Sequence, residues 1–69
     1  MKMHIYSETF HEHDIIEDPD IIPGIGERIV LQSNSIIGNN EVVNVIHFYT
    51  TVDYADHTIH AGDVIVIVK

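Results

Sequence analysis

The chain ends in five consecutive β-branched apolar residues, Val64 to Val68, followed only by Lys69. In a strand, successive side chains point to opposite faces, so Val64, Val66 and Val68 face one way and Ile65 and Ile67 the other. A sheet with one wet face would leave two or three large apolar side chains in water. At roughly 1.5–3 kcal/mol for each such side chain fully buried, that loss rivals the whole stability of a small domain. The last strand must therefore be covered on both faces. The cover expected from sequence is the segment 11 to 26, with its isoleucines, together with a second copy of the chain paired through residues 64 to 68 as a homodimer.

The remainder reads as strands separated by turn residues. "KMHIY" opens the chain in a β-compatible run. "RIVLQ" alternates Ile29 and Leu31 against Val30, and "EVVNVIHFYTTV" is rich in Val, Ile, Thr and aromatics. Residues 42, 45, 46 and 49 of that last run would also fit a helical stripe, but its composition favours a strand. "GNN" at 38 to 40 predicts a hairpin turn, and Pro19, Pro23, Gly24 and Gly26 make 11 to 26 a long ordered loop. "PGIGE" lacks the third glycine and following helix of a dinucleotide fingerprint, and reads as a turn opening the second strand. The expectation is a single all-β domain over residues 1–69: a small antiparallel sheet or partly closed barrel of four or five strands near 2 to 7, 27 to 32, 42 to 52 and 63 to 68. Its expected core is Ile5, Ile29, Leu31, Val43, Val45, Phe48, Val64, Val66 and one or more isoleucines of 15 to 25.

At 69 residues a chain buries only about 60% of its unfolded surface, and without cysteine it has neither disulfides nor thiolate metal sites. No apolar run approaches the roughly 20 residues that span a bilayer, and the N-terminus lacks a signal pattern, so a cytoplasmic protein without membrane contact is expected.

Eleven acidic residues against three basic ones give a formal charge of −8, which repels nucleic acid directly. Six of the acids, Glu8, Glu12, Asp14, Glu17, Asp18 and Asp20, fall in a stretch without Lys or Arg. Two readings follow, a solvated acidic loop and a surface for a basic partner protein. A sharper form of the second is a phage-type inhibitor that mimics nucleic acid and blocks a DNA- or RNA-processing enzyme. No cysteine or serine stands in a nucleophile motif and no carboxylate pair sits in an apolar setting, so no enzymatic activity is expected.

Six histidines supply the other chemistry. His11 and His13 form H-x-H, and His57 and His60 form H-x-x-H. On a strand the first pair would share a face, and the two pairs could together complete a tetrahedral zinc site. The alternative, which needs no cofactor, is that they are loop histidines among carboxylates, with pKa values raised on average. Titrating all six would take the formal charge from −8 to −2.

"HAGDVIVIV" resembles the glycine-aspartate turn and strand of cupins, and "HEHDIIE" offers His11, His13 and Glu17 at the spacing of their metal motif. That resemblance implies a metal-binding barrel, although the chain is shorter than a cupin. "IPGIGERIVL" followed by "EVVNVIHFY" is similar to a strand-turn-strand pattern of small phage and bacterial β-proteins, which implies no particular activity.

Overall fold

The computed structural model describes residues 1–54 and 56–69. It holds seven strands: β1 (Lys2–Ser7), β2 (Glu12–Glu17), β3 (Arg28–Gln32), β4 (Ile37–His47), β5 (Val52–Tyr54), β6 (His57–Ile59) and β7 (Val64–Val68). Five of them form one sheet in the order β2-β1-β7-β4-β3, and β5 and β6 form a separate two-stranded ribbon. The main sheet curls into a half-barrel, and 57% of the chain is strand, with no helix among the described residues. The all-β expectation holds. The sheet is mixed, however, because β1 and β7 run parallel, while the other neighbours are antiparallel.

β7 sits at the centre, hydrogen-bonded to β1 on one side and β4 on the other. Its valine face joins Met3, Ile5, Ile36 and Val42 in a buried cluster, with Ile16, Ile22, Ile29, Leu31 and Val45 packed around it. The 11 to 26 segment thus covers this face in part, as expected, through Ile16 and Ile22. Ile65, fully buried, lies on the other face. There it shares a side with His4 and Tyr6 of β1, through the pairs His4↔Ile65 and Tyr6↔Ile67. The β5–β6 ribbon covers that side, bringing Tyr54 and His57 against Tyr6 and His13, with Ile59 of β6 fully buried. Residues 64 to 68 are thus hydrogen-bonded along both edges and, apart from half-buried Ile67, buried within the chain, so the edge pairing expected for a homodimer finds no free edge there.

Three local expectations are corrected. First, much of the anticipated loop is β2, because the alternation of His13, Ile15 and Glu17 against Asp14 and Ile16 pairs fully with β1. Second, the hairpin between β3 and β4 closes at 33 to 36, and "GNN" lies inside β4. The Ser33 hydroxyl accepts the amides of Ser35 and Ile36 and donates to the Ile36 carbonyl, a side-chain turn that competes with the Gly-Asn signal. Gly38 nevertheless uses its freedom, with φ 83 opposite Leu31. Third, β4 carries a bulge, since Val42 opposes Val68 but Asn44 opposes Ile67. The extra residue, Val43, drops out of the inward alternation, and Val42 and Val45 both reach the core three positions apart. That spacing is the source of the helix-like pattern in the sequence. Val43 and Phe48 are only half-buried and stand outside the core cluster, whereas Met3, Ile36, Val42 and Val68 belong to it.

"PGIGE" forms the expected turn. Gly26, at φ 90, donates to the Val42 carbonyl, and Glu27 donates to the Gly24 carbonyl and binds the Gly24 amide through its carboxylate. Among the described residues no helix is long and apolar enough to cross a membrane.

Val66 is fully buried at the middle of the valine face. Val66→Asp should abolish cooperative folding, because it buries a charge with no partner; circular dichroism of the variant tests this. Ser33→Ala should preserve the fold and lower stability by about 1 kcal/mol, by stripping two amides of their acceptor, measurable in urea.

Candidate functional site

Two groupings of polar side chains stand out, one enclosed and one exposed. The enclosed one grows from the face of β1 opposite the core. His4 and Tyr6 alternate with Met3 and Ile5, so when the apolar pair enters the core the polar pair turns toward the ribbon. In the β1–β2 register Tyr6 opposes His13, and their rings stack at 4.4 Å between centroids. His4 sits diagonally from His13, and its Nδ1 lies 3.2 Å from His13 Nε2. From the ribbon, the His57 ring reaches to 3.9 Å from that of His13.

Asp63 anchors the other end. It precedes β7, and its carboxylate accepts the backbone amides of Lys2 at 2.9 Å and His60 at 3.1 Å. Its Oδ2 lies 3.5 Å from His4 Nε2, without hydrogen-bond geometry. The ring tautomers decide which nitrogen of the His4–His13 pair donates. Among the described residues His4 Nε2 and Tyr6 Oη have no hydrogen-bond partner.

The electrostatics follow from enclosure. Burial depresses the His13 pKa below the usual histidine value, and the neighbouring His57 and His4 depress it further, against a weaker pull from Asp14. Asp63 feels burial in the opposite sense, but the two amide hydrogen bonds and His4 outweigh it and hold the carboxyl below its ordinary value. Burial raises the Tyr6 phenol, and Tyr54 and Asp56 add to the effect. For His13 this reverses the expected raised histidine pKa, because desolvation and like charge prevail over the carboxylate-rich surroundings.

Of the four histidines considered as a zinc set, the structure brings together only His13 and His57. His11 occupies the turn after β1 with φ 55, so H-x-H is not a strand pair and its two rings share no face. His60 is exposed between β6 and β7. His4 takes part in their stead. Among the described residues no three His, Asp or Glu side chains converge on a position a metal could occupy. Of the cupin-like set, His11 lies in the turn after β1, His13 packs against His4 and His57, and Glu17 ends β2, 3.8 Å from Lys2.

The exposed grouping is acidic. Glu12, Asp14 and Glu17 lie on β2, an outer strand of the sheet, while Glu8 precedes it and Asp18 and Asp20 follow. Asp18 binds the N-terminal amine at 3.0 Å, which raises that amine's pKa, first through the hydrogen bond and then through charge attraction. Among the described residues, Glu8, Glu12, Asp14 and Asp20 have no ion-pair partner. The six carboxylates thus lie on one outer strand and its flanking turns, with Glu17 on the strand face opposite to Glu12 and Asp14.

No family model matches the chain, and neither a curated protein nor a solved structure matches it significantly.

Because His13 has a lowered folded pKa, its protonation opposes folding. Its contribution is complete above the unfolded value near 6.5 and is lost as pH falls below it. Asp63 acts in the same direction at lower pH, through its depressed carboxyl pKa. Thermal melts between pH 8 and 5 should therefore show falling stability with acid, and His13→Gln should flatten the slope near pH 6. A chelator should leave the neutral-pH melt unchanged; a chelator-dependent loss would contradict the metal-free reading of these histidines.

Proposed function

We propose that the chain is a non-enzymatic binding protein that engages a basic partner protein through its acidic β2 edge. The observation that carries this reading is the alignment of Glu8, Glu12, Asp14, Glu17, Asp18 and Asp20 along one outer strand and its flanking turns. Among the described residues, the cations paired with that edge are Lys2 and the N-terminal amine. Such exposed pairs are worth little and are readily exchanged for an incoming Lys or Arg. A rigid strand fixes its side chains, so the field of the edge is presented without the ordering cost of a flexible acidic tail.

In the polar cluster the imidazoles engage one another and Asp63, and Asp63 also lines a surface concavity with Lys2, Glu17, Asp18 and His60. An acidic edge strand also resists pairing with its own copies, which keeps it available to a partner of opposite charge.

A narrower version makes the partner a DNA- or RNA-processing enzyme whose phosphate-binding groove accepts the carboxylates. It is favoured by the regular placement of Glu12 and Asp14 on one strand face, about 6.7 Å apart at the rise of an extended chain.

The test is capture of partner proteins by the immobilised chain at low salt and at about 1 M salt, where screening shortens to about 3 Å. The captured proteins should be basic and should be released by salt. The double variant Glu12→Lys, Asp14→Lys should lose them while keeping its fold by circular dichroism. Displacement of the partner by duplex DNA would select the narrower version; binding that ignores both salt and charge reversal would overturn the proposal.

A further inference from the structure

β4 and β7 run antiparallel with His47 opposite Val64, so the segment that joins them is the far end of one hairpin, and β5 and β6 are its outer part. That outer part forms a sheet of its own. Its two legs are tied together at the base: the Phe48 amide donates to the Asp63 carbonyl, the Gly62 amide to the Phe48 carbonyl and the Ala61 amide to the Thr51 hydroxyl. Gly62, at φ 92, lets the chain turn there. The ribbon is therefore folded back over the sheet as one unit and held against it by side chains.

Two kinds of contact hold it. Ile59 of β6 and Ile65 of β7 are fully buried outside the valine-side cluster, on the side that the ribbon covers. The other contact is a row of imidazoles with His13 of β2 in the middle. His4 Nδ1 lies 3.2 Å from His13 Nε2, and the His57 ring of β6 lies 3.9 Å from the His13 ring between centroids. Tyr6 stacks on His13 and meets Tyr54 of β5 and His57 edge to face. The nearby carboxylates point elsewhere. Asp14 neighbours His13 on β2 but pairs with Ile5 on the opposite face, Asp56 in the ribbon turn acts on the Tyr6 phenol, and Asp63 meets His4 at its other ring nitrogen. Among the described residues no carboxylate forms an ion pair with His13.

Such a row tolerates few protons. A bond between His4 and His13 needs one nitrogen with a proton and one without, so charging both rings sets two donors face to face. Charging His13 and His57 sets like charges in contact. Burial acts first in keeping the His13 ring neutral, then His57 and His4, against a weaker pull from Asp14. Lifting the ribbon takes His57 away from His13 and lets water reach the ring, so the open form accepts a proton that the closed form excludes.

We propose that the β5–β6 ribbon is an acid-released flap, in which protonation of the row His4, His13 and His57 lifts the ribbon and uncovers Ile65 while the five-stranded sheet stays intact. It is independent of the acidic edge. At neutral pH the buried Ile59 and Ile65 keep the flap closed. The closed form is fully favoured above the open-state histidine value near 6.5 and is weakened as pH falls below it. For one linked proton the opening constant rises by up to about tenfold per pH unit.

The experiment is amide hydrogen exchange of the full chain between pH 8 and 5, read by NMR and corrected for the intrinsic pH dependence of exchange. A lone two-stranded ribbon is marginal in water, so lifting it deprotects its amides. The bonded amides of β5 and β6 should be less protected than Ile65, Val66 and Ile67 at every pH. Their protection should fall by up to about tenfold per pH unit below about pH 6.5. His13→Gln should abolish that fall, and His57→Gln, which removes the like charge but leaves the burial, should shrink it. Protection of the ribbon equal to that of β7 would mean that it opens only with the whole fold, and would overturn the proposal. Ribbon protection that ignores pH, or a fall that His13→Gln leaves unchanged, would do the same. If a variant does not fold, the two protection levels and the pH dependence of the unaltered chain decide the matter by themselves.

Discussion

Burial of β7 on both faces and along both edges is the constraint that organises this chain. Five large apolar side chains in a row exceed what one wet-faced sheet can hide, and the fold answers with two different covers. The valine side is closed by the curl of the main sheet and by Ile16 and Ile22. The isoleucine side is closed by the β5–β6 ribbon, which brings Ile59 into full burial and sets Tyr54 and His57 over Tyr6 and His13. Central placement of β7 then decides which strands are outermost. With β1 and β4 as its neighbours, β2 and β3 become the free edges.

The polar cluster is a consequence of the same arrangement. Covering the isoleucine face with a ribbon also encloses whatever else shares that face, and in β1 those residues are His4 and Tyr6. Desolvating them would be costly if each stood alone. Asp63, fixed by two backbone amides, the stacking of Tyr6 on His13 and the tilted contact of His57 with His13 offset part of that cost. Burial at this contact, with His57 and His4 beside the ring, disfavours a proton on His13. The exposed edges have a division of their own. β2 concentrates carboxylates and β3 is nearly uncharged, which gives the seam between them a polarity that a symmetric barrel would lack.

Much of this was legible in the residues. Strands β1, β3 and β7 and the turn at "PGIGE" followed from alternation and from the positions of Pro and Gly, and the need for a second cover followed from residues 64 to 68 alone. The placement of β2 was obscured because Pro19, Pro23 and two glycines follow it closely, and because a six-residue edge strand rich in charge has little strand propensity. The bulge at Val43 disguised a strand as a helical stripe, and the Ser33 hydroxyl outcompeted a strong Gly-Asn turn. In the polar cluster, His13 and His57 were singled out, but His4 and Asp63 were not. His4 carried a usable signal, since Met3 and Ile5 alternate with His4 and Tyr6. Its partners depend on the β1–β2 register and on the parallel pairing of β1 with β7, and no local pattern encodes a contact between residues 4 and 63.

The central claim is that β7 is an interior strand and that β2 and β3 are the free edges. Amide hydrogen exchange of the free chain at neutral pH, read residue by residue by NMR, tests it most directly. An interior strand bonds successive amides alternately to its two neighbours, so Ile65, Val66 and Ile67 should all exchange slowly, while β2 and β3 show alternate fast and slow amides. Alternating protection within Ile65, Val66 and Ile67 would make β7 an edge and contradict the account.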